Sequence, residues 1–123
     1  MMNELTPPVI VDEHGDIQLY ANVEAAAADV EAIDVRNGEY EFFDSAGRVI
    51  EPTIDDATST VRLTGHEYRL PVPNLLADRL RRFVEQVGIE RIGISKLPSE
   101  MSLEELVDAL SGFFGLPGIR TRD

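Results

Sequence analysis

In the first half of the chain, short runs of alternating apolar and polar residues each end at a turn signal. Val9, Val11, Ile17 and Leu19 share one sheet face if Glu13, His14 and Gly15 form a three-residue turn with Gly15 left-handed; a two-residue turn mixes the faces. The longer turn is therefore predicted, with Asp12 opposite Asp16. Asn22 is a good N-cap, and Val23, Ala26, Ala27 and Val30 follow at helical spacing with Glu24 in the first turn. This predicts a short helix over about residues 23–32, whose alanine stripe lies close to whatever it covers. After Asn37-Gly38, Tyr40 and Phe42 alternate with Glu39 and Glu41 as a strand. Asp44-Ser45-Ala46-Gly47 turns the chain, and Val49-Ile50 returns as the partner strand. Phe43 breaks the alternation, so it either packs on the far side of the sheet or stands at a contact surface. Pro52 and the polar residues 55–59 end this unit in a loop.

Residues 60–64 and 67–70 alternate cleanly around Gly65-His66, a two-residue turn with Gly first, as a type II′ hairpin requires. In that register Leu63 faces Tyr68, Val61 faces Leu70, and Arg62 lies directly across from Arg69. Like charges so placed need an acid alongside. The strand of Glu39 and Glu41 supplies one, and the rival reading is an anion-binding patch. Beyond Pro73-Asn74, residues Leu75, Leu76, Leu80, Phe83, Val84 and Val87 form the stripe of a helix closed by Gly88. Asp78, Arg81, Arg82 and Glu85 on its other face stand at pairing distance, so the basic dipeptide has a local explanation. Ile92-Gly93-Ile94 predicts an extra edge strand. In the last helix Ser102 and Glu105 make a capping box and Met101 and Leu106 a hydrophobic staple, with Leu103, Leu106, Val107 and Leu110 inward and Gly112 limiting its length. Phe113-Phe114-Gly115-Leu116 either closes the core or forms an interface. The whole pattern predicts an α+β fold: an antiparallel β-meander sheet backed by a short helix from the N-terminal half and two C-terminal helices. It forms one domain over residues 1–123, without repeat or linker.

Composition narrows the functional classes. The chain has 123 residues, 43% hydrophobic and 28% charged, as expected for one globular core. No apolar run reaches a bilayer-spanning length, and the N-terminus has no secretory pattern, so no membrane association and a cytoplasmic location are expected. The absence of cysteine removes disulfides, thiolate nucleophiles and Cys-bound zinc. The formal net charge is −12, and all of it lies in residues 1–60, where 14 acids meet two arginines; residues 61–123 hold nine charges of each sign. That balance disfavours nucleic acid as a direct ligand and favours a basic protein partner. Ten of the eleven basic residues are arginine, which base composition of the coding DNA is enough to explain.

Two groups of residues carry candidate chemistry. Asp12, Glu13, His14 and Asp16 gather oxygens and an imidazole at a hairpin tip. A divalent ion can use such donors in a metal-assisted hydrolase, but no EF-hand or other dedicated cation loop is present, and a solvated tip is the plainer reading. No resident metal, cofactor or catalytic residue is therefore predicted. The second group is Glu24, Asp29, Glu31, Glu39, Glu41, Asp55 and Asp56, the expected partner-binding carboxylates.

The turn at Gly15, the Asn37-Gly38-Glu39-Tyr40 segment and the Asp44-x-x-Gly47-Arg48 turn, within residues 7–52, are similar to small uncharacterised bacterial proteins, some of which are thought to serve as immunity proteins to secreted toxins. The resemblance implies a stoichiometric inhibitor that covers a toxin's active site, and it brings no catalytic signature. The leading expectation is thus an acidic protein-binding module, of the immunity type, directed at a basic toxin such as a nuclease. Its alternative is a self-associating structural or regulatory protein, a homodimer through Phe43 or through Phe113 and Phe114.

Overall fold

Three consecutive apolar residues, Val9, Ile10 and Val11, are all buried, which a strand achieves only when both of its faces are covered. The computed structural model describes residues 4–66 and 68–116. In it, β1 (Val9–Glu13) lies inside a five-stranded sheet with β2 (Asp16–Tyr20), β3 (Glu41–Phe43), β4 (Val49–Asp55) and β5 (Thr60–Gly65). Val9, Val11, Phe42, Ile50, Val61 and Leu63 face α1 (Val23–Asp29) and α2 (Ala32–Arg36). Ile10, Ile17, Leu19 and Phe43 face α3 (Pro73–Val87), α4 (Ile89–Ile92) and α5 (Leu103–Phe113). The fold is α+β, with an antiparallel sheet between two helical layers.

Burial on both faces overturns the expected three-residue turn. The register pairs Glu13 with Asp16 and Ile10 with Leu19, so His14 and Gly15 alone make the turn, with φ of 55° and 96°. Both central residues are left-handed, as a type I′ turn demands. Mixing of apolar faces was the objection to this turn, and a strand covered on both sides does not raise it. Asp12 therefore sits opposite Ile17, not Asp16, and faces α3.

The strand order is β2-β1-β3-β4-β5, so the sheet is a meander only from β3 onward; the chain leaves β2, passes through α1 and α2, and pairs β3 with β1. The helix expected over 23–32 begins as predicted, with the Asn22 side chain accepting from the Ala25 N–H at 2.8 Å, but it ends at Asp29. Val30 turns extended, the conformation a β-branched residue prefers, and α2 follows.

The hairpin through Gly65-His66 does not form. β5 pairs with β4 through the turn at residues 56–59, from Ile50↔Gly65 to Asp55↔Thr60. Arg62 lies across from Thr53 instead of Arg69, while Tyr68 and Leu70 are 88% and 84% exposed; Glu67 lies outside the described residues. Pro52 had marked the end of the strand unit, yet it sits within β4. The His66 N–H donates to the Val49 carbonyl, so odd-numbered residues of β4 direct their backbone groups to β5. Pro52 points the other way, where β3 no longer pairs, and its missing donor breaks no ladder bond.

The C-terminal half follows its pattern more closely. α3 ends at Gly88, and the Ser102–Glu105 capping box is present in both directions at 3.1 and 3.0 Å. Among the exchanges expected on α3, Asp78–Arg81 forms at 2.9 Å; Arg81 also donates to the carbonyls of Pro98 and Met101, fastening the segment before α5. The edge strand expected at 92–94 is instead the end of α4, with Gly93 left-handed and Ile92 buried. Gly112 is the penultimate residue of α5, which ends at Phe113, close to the limit expected. Phe113 and Phe114 pack on the core, Phe114 stacked on Phe83 at 6.1 Å, so this segment closes the core; Phe43 is buried beneath α3.

Candidate functional site

Antiparallel pairing brings the β1–β2 turn, the start of β3 and the β4–β5 turn to one end of the sheet. Acidic residues of the first half collect there, but the sheet divides them between its two sides.

On the α3 side, Asp12, His14, Glu39, Glu41, Arg79 and Arg82 line an open cleft of about 630 Å³. Arg79 of α3 donates to the buried Asp12 Oδ2 at 2.8 Å and also to Glu41, with its guanidinium 5.7 Å from the centre of the Phe43 ring. The other Asp12 oxygen accepts from the Gly15 N–H at 2.7 Å and holds the turn closed. At the lip of the cleft, His14 Nε2 meets Glu39 Oε1 at 2.6 Å. That hydrogen bond, with the Glu39 charge behind it, raises the His14 pKa above its ordinary 6.5.

A raised folded-state value favours the imidazolium, so this link is fully present below the unfolded pKa of about 6.5 and is lost as pH rises through the folded one. In an NMR titration His14 is expected to fall back toward 6.5 in Glu39→Gln. An unchanged midpoint would show that Glu39 is not the cause.

The donors expected at the hairpin tip do not converge. Asp12 points toward α3 and Arg79, Glu13 and Asp16 lie on the opposite face, and His14 is engaged by Glu39. Among the described residues no three His, Asp or Glu side chains are placed to hold one ion. The turn length decides this, because the two-residue turn separates Asp12 from Asp16 across the sheet.

The seven expected partner-binding carboxylates also separate. Glu41 is held by Arg79, Glu39 by His14, and Asp56 by Arg36 at 2.7 Å. Asp55 turns its Oδ1 to the Ala57 N–H within the β4–β5 turn. Glu24, Asp29 and Glu31 lie exposed on and beside α1 and α2, with no ion-pair partner among the described residues.

On that α1–α2 side the structure adds two tyrosines and two acids that the sequence reading missed. The Tyr20 hydroxyl donates to Asp29 at 2.5 Å. Its pKa is raised, first by burial and then by this bond, the Asp29 charge, Tyr40 and Glu13. The Tyr40 pKa is raised too, by burial and the charges of Glu13, Asp34 and Glu31, against the lowering effect of a hydrogen bond from the Glu31 backbone. Two half-buried phenols thus stand among Glu13, Asp29, Glu31 and Asp34. The alternation of Tyr40 with Glu39 and Glu41 was a usable signal for its face; Glu13 was hidden by the wrong turn length.

The chain matches no family model, no curated protein and no solved structure. Among the described residues no helix is long and apolar enough to cross a membrane.

Proposed function

We propose that the chain is a protein-binding module for a partner with a cationic surface, in its specific form an immunity-type inhibitor of a basic toxin such as a nuclease. The observation that supports it is the α1–α2 side, where Tyr20 and Tyr40 stand among Glu13, Asp29, Glu31 and Asp34, none ion-paired among the described residues. Uncompensated carboxylates raise the on-rate for a cationic surface, and half-buried tyrosines are good anchors because they offer a rigid ring with a polar tip. Lysine or arginine side chains of a partner can meet both the acids and the ring faces. The contact set is thus Glu24, Asp29 and Glu31 from the sequence reading, joined by Glu13, Asp34, Tyr20 and Tyr40. Glu39, Glu41 and Asp56 already have internal partners and contribute less.

The neighbouring gene supplies the test. It is expected to encode a large secreted protein with a variable C-terminal end. Association with that C-terminal domain should slow by about tenfold or more between low salt and about 0.5 M. Glu31→Lys with Asp34→Lys should lower the low-salt rate by a similar factor. Rates indifferent to both would overturn the reading, and an isolated gene would remove the inhibitor form of it.

A further inference from the structure

The cleft on the α3 side takes no part in the cationic-partner reading, and its two walls carry opposite charge. On the sheet wall stand Glu39 and Glu41, two residues apart and both lining the cleft. On the helix wall stand Arg79, Arg82 and Gln86, whose spacings of three and four residues put them on one side of α3. Glu39 meets His14 and Glu41 meets Arg79, but each contact uses only Oε1. Both Oε2 atoms are left without a donor among the described residues. The guanidiniums are less engaged still. Arg79 makes both of its hydrogen bonds through Nη1, so its Nε and Nη2 have no partner among the described residues. The pairing along α3 that would explain Arg82 does not form: Arg81 takes Asp78, and Arg82 has no ion-pair partner among the described residues.

We propose that this cleft binds a small zwitterion, an amino carboxylate, with its carboxylate on Arg82 and the free donors of Arg79 and its ammonium between Glu39 and Glu41. The charges of the cleft disfavour simpler ligands. A plain carboxylate gains Arg82 but faces the charges of Asp12, Glu39 and Glu41; a plain ammonium gains the two glutamates but faces Arg79 and Arg82. A molecule with one charge of each sign meets an opposite charge on both walls. Guanidinium is also the group whose planar fork suits a carboxylate, and the Gln86 amide, one turn beyond Arg82, adds a further donor. Part of the site is already built: the ion pair with buried Asp12 fixes the Arg79 guanidinium in the cleft, so little ordering is left for binding to supply. The cleft, about 630 Å³, falls within the ~300–1,000 Å³ usual for small-molecule sites. It lies across the sheet from Tyr20 and Tyr40 and stands independently of the partner face.

The test titrates the intact protein with glycine, 4-aminobutanoate and 6-aminohexanoate, three zwitterions of growing charge separation, and follows its backbone amide and arginine Nε–H signals. Butanoate and butylammonium, which keep one charge each, are the controls. The tightest zwitterion is expected to bind at least tenfold more tightly than either control, with shifts at Gly15, Gly38, Arg79 and Arg82. Arg82→Gln and Glu39→Gln, which remove one end of the site each and alter only exposed contacts, should each weaken it at least tenfold. Arg91→Gln, outside the cleft, should not. Butylammonium binding as tightly as the zwitterions overturns the inference in favour of a further cation contact, and butanoate doing so overturns it in favour of an anion site. Unchanged affinity in Arg82→Gln, or no shift in the cleft with any of the three, overturns it while leaving the cationic-partner reading standing. Conversely, a zwitterion bound in the cleft together with salt-indifferent association of the partner would retain this site and remove the steering.

Discussion

Asp44→Ala is expected to destabilise the fold by about 3 kcal/mol or more in urea unfolding, because it removes a buried carboxylate with four partners. Asp44 Oδ1 accepts from the Ala46 and Arg48 N–H groups at 3.0 and 2.8 Å. Its Oδ2 accepts from the Thr6 N–H at 2.8 Å and from Arg48 Nη1 at 3.0 Å. The side chain is fully buried, so alanine leaves these donors unpaired and opens a space behind them. The damage reaches past the turn: Thr6 belongs to the N-terminal segment, and Ser45 donates back to the Thr6 carbonyl at 2.9 Å. Gly47 in the same turn accepts from the Val72 N–H at 2.7 Å, and a Cβ on it would stand 2.7 Å from the Pro73 backbone. The turn thus seats the start of α3. Asp44→Asn keeps the volume and one acceptor oxygen but turns an amide N–H₂ toward donors, so it should fall between alanine and the native protein. A loss below about 1 kcal/mol for alanine would mean that water replaces the carboxylate at every one of its partners.

Asp44 also shows which kind of information a linear pattern carries. Asp at the opening of a turn and Gly at its close are local signals, and both were legible. That this aspartate is buried and fastens residue 6 is a long-range fact with no trace in the spacing. The same division runs through the fold. The stripe of α3, the capping box of α5 and the N-cap of α1 depend on residues three or four apart, and all three formed, although Leu75 of the stripe stands exposed. The β1–β2 register and the partner of β5 depend on what covers each sheet face, which alternation alone does not state. Assuming one buried face, the alternation of Val9, Val11, Ile17 and Leu19 selected the wrong turn; two covered faces reverse the choice. Pro52 misled for a similar reason, since its effect depends on which neighbour its nitrogen faces. For the candidate site, the sequence supplied the excess of acids in the first half but not their distribution. Arginines from α2 and α3 take Asp56 and Glu41, and the acids beside the two tyrosines are left uncompensated.

Arg79→Met is the second large perturbation, expected to cost about 2–3 kcal/mol. It removes the only cation paired with buried Asp12 among the described residues, and an unpartnered buried charge is expensive. The arginine side chain is 27% exposed, so solvent screens part of the loss and the lower end of the usual range applies. Glu41, more than half exposed, should contribute little. Methionine keeps an apolar stem of similar length but removes the guanidinium, and with it both the ion pairs and the cation–π contact over Phe43. Asp12→Asn in the Arg79→Met background should then recover at least about 1 kcal/mol, because a neutral amide needs no counter-ion and its oxygen can still accept from Gly15. Additive losses in the double variant would show that the pair is not coupled. The His14 titration serves as the local control: its Glu39 partner sits across the cleft lip from Arg79, and its midpoint should stay raised in Arg79→Met if the turn remains closed. A His14 midpoint that collapses to its ordinary value would mean instead that Arg79 holds the whole β1–β2 turn in place, through Asp12 and the Gly15 bond that depends on it.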